Sequence, residues 1–223
     1  MATVVVTGAN RGIGLELVRQ LVARGDAVIA ACRRSSRELD ESGAEVVTGV
    51  DVTSDEGVSK LVAAVGDRLL DVVVHNAGIL EHGPSDAVSG FDFASIRRQM
   101  EVNAYGPLRV TAALVRHVPH GGKLIFVSSR AGSIGDNASG GLYGYRMSKA
   151  ALNMAAKSLA RDLADRGIAV GVLHPGFVRT EMTGGNGNVD AREAAAGLIA
   201  RIDALGPQTS GTFWHASGEI LPW

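Results

Sequence analysis

Tyr145 and Lys149 stand four residues apart in a stretch of helical periodicity, Tyr143–Asp165, so the two side chains leave one face of one helix. A free phenol titrates at about pH 10, too high for acid–base work near neutrality. A cation one turn away stabilises the phenolate and brings proton transfer within reach. Tyr143 lies six residues before Lys149, on another part of the helix surface. The spacing therefore selects Tyr145 as the proton donor and leaves Tyr143 as a pocket wall. A second group lies at the start of the chain, where the apolar run Thr3–Thr7 meets the turn Gly8-Ala9-Asn10-Arg11-Gly12-Ile13-Gly14 and then a helical pattern, Gly12–Arg24. A helix N-terminus offers unpaired N–H groups and partial positive charge, which suit a nucleotide pyrophosphate. Gly8 and Gly12 permit a close backbone approach, and Gly14 lets the helix pack on the strand. The spacing is Gly-x3-Gly-x-Gly rather than the commoner Gly-x-Gly-x-x-Gly, and by itself it also suits an ordinary glycine-rich turn.

The elements that must carry these groups alternate. Strand patterns cover Thr3–Thr7, Ala27–Ala31, Glu45–Val50, Asp71–His75, Lys123–Ser128, Ile168–His174 and Thr212–His215. Helical patterns cover Gly12–Arg24, Asp55–Leu69, Phe91–His117, Tyr143–Asp165 and Ala191–Leu205. Such alternation predicts an α/β fold, a doubly wound parallel sheet with helices on both faces, which binds ligands beyond the carboxyl ends of its strands. One crevice then gathers Gly8–Gly14, Arg33, Asp51, Asn76–Gly78, Ser128-Ser129 and Pro175–Thr180. The irregular stretch Gly135–Leu142 reads as a mobile loop over that crevice.

Composition bounds the function. The chain has 223 residues, 46% of them hydrophobic, and a formal net charge of −1, which describes a single domain over residues 1–223 and argues against a nucleic-acid partner. Its one cysteine, Cys32, cannot form an internal disulfide and reads as a small buried apolar residue; no metal site is expected. No signal peptide and no stretch of membrane-spanning length is evident, so a cytoplasmic protein without a membrane partner is expected.

Taken in order, Thr7-Gly8-x3-Gly12-x-Gly14, Asp51-Val52, Asn76-Ala77-Gly78, Asn103, Ser129, Tyr145-x3-Lys149 and Pro175-Gly176-x-Val178-x-Thr180 resemble the short-chain dehydrogenase/reductase family over nearly the whole chain. The segment Ser129–Asn137 and the ending Ser210-Gly211-x-Phe213-Trp214 through Pro222-Trp223 are similar to a subgroup that includes C-factor-like proteins and the sniffer-type carbonyl reductases. The resemblance implies a Rossmann-like sheet of about seven strands in the order 3-2-1-4-5-6-7. It implies hydride transfer between a nicotinamide cofactor and a carbonyl or alcohol substrate. Ser129 would hydrogen-bond the substrate oxygen, with Ser128 and Ser133 as rivals, and Tyr145 would exchange a proton with that oxygen. Lys149 would lower the phenol pKa and hold the nicotinamide ribose, while Asn103 would position a water. Pro107, just after Gly106, would interrupt the helix locally and expose backbone near Asn103.

For the cofactor, Gly8, Asn10, Arg11, Gly12, Ile13 and Gly14 would form the pyrophosphate turn. The second strand ends in Cys32-Arg33-Arg34, with no acid placed to accept from a ribose hydroxyl. Arginine suits a phosphate dianion, so Arg33, Arg34 and Arg11 point to the 2′-phosphate of NADP rather than to NAD; a solvated basic turn is the plainer alternative. Asp51 and Val52 would meet the adenine, and Asn76, Ala77 and Gly78 would line the adenosine. Pro175, Gly176, Val178 and Thr180 would face the nicotinamide and pyrophosphate. His75 stands where the family usually has asparagine, and it reads as a core residue. The leading expectation is an NADP-dependent carbonyl reductase or alcohol dehydrogenase. The alternative is a dinucleotide-binding signalling protein of the C-factor-like type. A homodimer would pair through Phe91–His117 and Tyr143–Asp165, where Ala150, Ala151, Ala155 and Ala160 on the second helix permit close approach; these alanines suit packing on the chain's own sheet equally well.

Overall fold

The computed structural model of the protein describes residues 1–82 and 90–223. In chain order the elements are β1 (Thr3–Thr7), α1 (Gly12–Ala23), β2 (Ala27–Ala31), α2 (Arg37–Asp40), β3 (Glu45–Val47), α3 (Asp55–Val65), β4 (Val72–His75), α4 (Phe93–Met100), α5 (Gly106–Leu114), β5 (Lys123–Val127), α6 (Tyr143–Asp162), β6 (Ala169–His174), α7 (Ala191–Ala204) and β7 (Thr212–His215). The strands form one seven-stranded sheet in the order β3-β2-β1-β4-β5-β6-β7, every neighbouring pair parallel. This is the expected Rossmann-like order.

The apolar runs become strands because both of their faces are buried. Val4 and Val6 point into the layer under α1 and α7, with Leu17, Leu21, Leu198 and Ile202. Val5 points to the opposite layer, where Phe126, Leu61, Leu114, Leu152 and Ala156 belong to α3, α5, α6 and the sheet. Full burial of such a side chain contributes about 1.5–3 kcal/mol.

The differences from the sequence reading have local causes. β3 stops at Val47 because Gly49 takes φ 72° and the Val50 N–H turns back to the Cys32 carbonyl. α3 stops at Val65 because Gly66 follows at φ 58°. The segment expected as one helix over Phe91–His117 begins at Phe93, where Asp92 accepts from the Ser95 N–H at 2.9 Å. Between α4 and α5 it widens into a π-helical turn, Glu101–Tyr105, in which the Gly106 N–H reaches back to the Glu101 carbonyl. On α6, Ala160 packs into the core on the chain's own sheet, the second of the two placements expected for it, while Met147 and Met154 are exposed. Among the described residues no helix is long and apolar enough to cross a membrane.

Candidate active site

β1 and β4 are neighbours, and the chain leaves β1 towards β2 but leaves β4 towards β5 on the other side, so a crevice opens beyond the ends of these two strands. The loops after β1 and β4 meet across it. Gly8 takes φ 66°, and a Cβ there would stand 2.7 Å from Ala77 Cα; a Cβ on Gly14 would stand 2.2 Å from the Gly8 carbonyl oxygen. Only hydrogen fits at either position. Asn76 brackets the turn with its side chain, donating from Nδ2 to the carbonyls of Thr7 at 3.1 Å and Gly8 at 3.0 Å. Thr7 Oγ1 accepts in return from the N–H groups of Asn76 and Ala77. Asn76 thus acts through its side chain as well as through its place in the loop, and Thr7, which closes the apolar strand just before the glycine, is its partner across the crevice.

Around this cradle the other expected cofactor residues divide. Arg33 and Arg34 are exposed at the end of β2, and Ser36 donates to the Asn10 carbonyl, tying that end to the glycine turn. Arg11 pairs with Glu181 across the crevice mouth. Asp51 is held below the usual carboxylate range, first by hydrogen bonds from Thr53 and further by Arg33 and Arg109. Val52 is buried, and its Cγ2 would lie 2.8 Å from a Cβ on Gly106, so its side chain packs against the start of α5. Pro175 is buried, Gly176 takes φ 94°, and Val178 is bridged to Val189. Thr180 Cγ2 would be 3.4 Å from a Cβ on Gly12, which brings the segment after β6 onto the glycine turn; Ile13 is partly buried behind it.

Tyr145 and Lys149 lie together on α6, the Lys149 Nζ 5.8 Å from the Tyr145 ring centroid. Lys149 is buried, donates to the Val127 carbonyl at 3.0 Å, and has its pKa pushed down to about 8 by burial. Burial raises the Tyr145 phenol, while a hydrogen bond with the Ser129 side chain pulls it down. The net direction is upward, because the phenol is desolvated. Ser128 donates to Asn153 Oδ1 at 2.6 Å and Ser133 donates to the Trp223 carbonyl at 3.2 Å, so of the three serines Ser129 is the one beside the phenol. Tyr143 is exposed and meets Phe91 edge-on, with ring centroids 5.0 Å apart.

Asn103 sits in the π turn, fully buried. Its Oδ1 accepts from the Ile79 N–H at 2.8 Å, and its Nδ2 donates to the Ile79 carbonyl and to Ser148 Oγ. Ser148 in turn donates to the Tyr145 carbonyl at 2.8 Å. Pro107 stands four residues after Asn103 and has no N–H to give its carbonyl, which is the local interruption the sequence predicts. The loop before α6 has contacts to that helix: Arg146 donates to the Gly140 carbonyl at 3.1 Å and to Ser139 Oγ at 2.8 Å. His75 is a core residue, its ring stacked 4.5 Å from Phe126 and its Nε2 3.1 Å from Thr111 Oγ1. The arrangement therefore gathers a hydroxyl, a phenol and an ammonium beside a glycine cradle suited to an anion.

A match to the short chain dehydrogenase family spans residues 2–190. The chain is 45% identical over 229 residues to 1-hydroxy-2-glutathionyl-2-methyl-3-butene dehydrogenase of Rhodococcus sp. (strain AD45), covering 100% of both proteins. It is 41% identical over 156 residues to the C-signal protein of Myxococcus xanthus, covering 69% of this chain and 93% of that one. Among solved structures it is similar to the NADPH-bound carbonyl reductase from chicken fatty liver, with a TM-score of 0.90 and 28% identity over 100% of this chain and 99% of that one.

Proposed function

The chain belongs to the short chain dehydrogenase family, and on that premise we propose that it is an NADP-dependent oxidoreductase that interconverts a carbonyl compound and its alcohol. The observation that carries this reading is the meeting of Ser129, Tyr145 and Lys149 beside the Gly8–Gly14 turn. The cofactor fits the residues present. Gly8 and Gly14 leave a cradle that side chains would fill, and Arg33 and Arg34 stand exposed where a 2′-phosphate would be met. The turn from Gly8 through Asn10, Gly12 and Ile13 would hold the pyrophosphate, with Pro175, Gly176, Val178 and Thr180 closing over it, Asp51 and Val52 at the adenine, and Asn76–Gly78 along the adenosine. Bound there, the cofactor supplies or accepts the hydride.

The chain's own residues manage the oxygen. Ser129 donates to the substrate oxygen as charge develops on it. Tyr145 gives that oxygen its proton in reduction and removes it in oxidation. The Ser129 hydrogen bond pulls the phenol pKa down against the rise that burial causes, towards the range in which it can exchange a proton. Lys149 holds positive charge beneath the site, and Asn103, through Ser148 and Ile79, fixes the helix and loop on either side.

The substrate to try first follows from the Rhodococcus relative, whose name describes oxidation of an alcohol carrying a glutathionyl group; simple aldehydes and ketones complete the panel. Similarity to the C-signal protein favours a second reading, a dinucleotide-binding signalling protein. A cytoplasmic location and a homodimer across the exposed Met147 and Met154 face of α6 belong to the same proposal, the latter read by light scattering.

Turnover of the panel by wild type and by Tyr145→Phe tests the enzyme reading. We expect the variant to lose at least about a hundredfold in kcat, in the range of general acid catalysis. Equal turnover by both would overturn the assignment of Tyr145, and no turnover by wild type would favour the signalling reading. Calorimetry with NADPH and NADH tests the cofactor: Arg33→Ala with Arg34→Ala removes a preference for NADPH if the two arginines hold the phosphate.

A further inference from the structure

Asn153 continues the spacing that joins Tyr145 to Lys149. It lies four residues beyond Lys149, on the face of α6 turned into the protein, and only 3% of it is exposed. Its neighbours Leu152 and Ala156 belong to the apolar core, so an amide there is costly unless its hydrogen bonds are made. They are made, and both go to the turn that carries Ser129. Oδ1 accepts from Ser128 Oγ at 2.6 Å, and Nδ2 donates to the Gly132 carbonyl at 3.2 Å. The Gly132 carbonyl only accepts, which fixes which way round the amide sits. Gly132 closes the turn by donating from its own N–H to the Ser129 carbonyl at 2.8 Å.

One carboxamide thus grips the residue before Ser129 and the residue that ends its turn. We propose that Asn153 is a positioning residue for Ser129: it pins both ends of the serine turn to the helix that carries Tyr145 and Lys149, so that hydroxyl, phenol and ammonium hold one geometry. The assignment rests on the reading of Ser129 and Tyr145 given above. It separates Asn153 from a plain core residue, which would fill the space equally well as leucine. It also gives Ser128 a purpose distinct from that of its neighbour.

The Tyr145 phenol reports the effect directly, because the Ser129 bond pulls its pKa down. Phenolate absorbance is titrated in wild type, Asn153→Leu, Ser129→Ala and the double variant, with Tyr145→Phe identifying which phenol is read. We expect Asn153→Leu to raise the Tyr145 pKa as Ser129→Ala does, and the double variant to go no further than Ser129→Ala alone. Turnover should fall about tenfold to a hundredfold, the scale of a small misplacement of a reacting group, with NADPH affinity unchanged. A folded Asn153→Leu protein with the wild-type phenol titration overturns the proposal, even if turnover falls. If Asn153→Leu does not fold, Ser128→Ala decides by the same titration: an upward shift supports the proposal and no shift overturns it. The titration needs no substrate, so a failure of the reductase reading would show separately, as absence of turnover by wild type.

Discussion

Gly132 rests on the backbone of Lys149. A Cβ at Gly132 would stand 2.7 Å from the Lys149 carbonyl carbon and 2.8 Å from its Cβ. That contact sets how closely the serine turn approaches α6. Gly132→Ala should therefore push turn and helix apart, costing about 1–3 kcal/mol of stability, as overpacking does. Turnover should fall further than cofactor affinity, since the glycine cradle lies on another loop. Denaturant midpoints, kcat and calorimetry on the one variant check both statements.

Lys149 trades stability for charge. Folding lowers its pKa from 10.5 to about 8 by burial. The unfolded chain keeps this proton up to about pH 10.5, so the folded state carries its full penalty below pH 8 and sheds it as pH rises towards 10.5. Lys149→Met should be more stable than wild type at pH 7, by an amount on the order of 3 kcal/mol, with the gain vanishing by pH 10.5 and catalysis lost throughout. Urea unfolding of both proteins at pH 7, 9 and 10.5 gives the comparison.

His75 should make the fold sensitive to acid. Burial pushes its pKa from 6.5 to about 3, so between those values the unfolded chain binds a proton that the folded one refuses. Its contribution is complete above pH 6.5 and falls away as pH drops towards 3. Unfolding curves from pH 7 to pH 4 should fall less steeply for His75→Gln, which keeps a polar tip towards Thr111. Identical slopes in the two proteins would contradict this account.

Leu142, at the N-cap of α6, is the one non-glycine among the described residues with positive φ, at 47°. A left-handed leucine costs about 1–2 kcal/mol. Leu142→Gly removes that cost and gives back part of it in chain entropy, so a net gain of up to about 1 kcal/mol is expected from thermal unfolding. If turnover falls while the melting temperature rises, the strain serves the site three residues away.

Much of this was legible in the sequence, for identifiable reasons. The apolar runs at Val4, Val73 and Val170 could only be doubly covered strands, and seven such runs alternating with helices leave few arrangements. The positions of Tyr145 and Lys149 follow from one helical turn. Contacts that depend on distant parts of the chain were not legible. Nothing near Gly8 says that Ala77 will touch it, and nothing near Ser128 says that Asn153 will accept its hydrogen bond. Spacing likewise places a cation near Tyr145 but does not tell where its proton donors point, and Lys149 Nζ donates to the Val127 carbonyl. The end of α3 is local by contrast: the helical periodicity continues to Leu69, and Gly66 at φ 58° ends the helix before it.

The widened turn at Glu101–Tyr105 amounts to one residue inserted into an otherwise regular helix. Everything after it, Pro107 and the buried side of α5 included, is rotated by one position relative to α4. Deleting a single residue there would let the helix recover ordinary pairing, yet Asn103 and the α5 core face could not then both keep their partners on Ile79, Ser148 and the sheet. The chain is thus locked to its irregularity: the shorter, more regular helix is one codon away and loses the grip on the loop after β4.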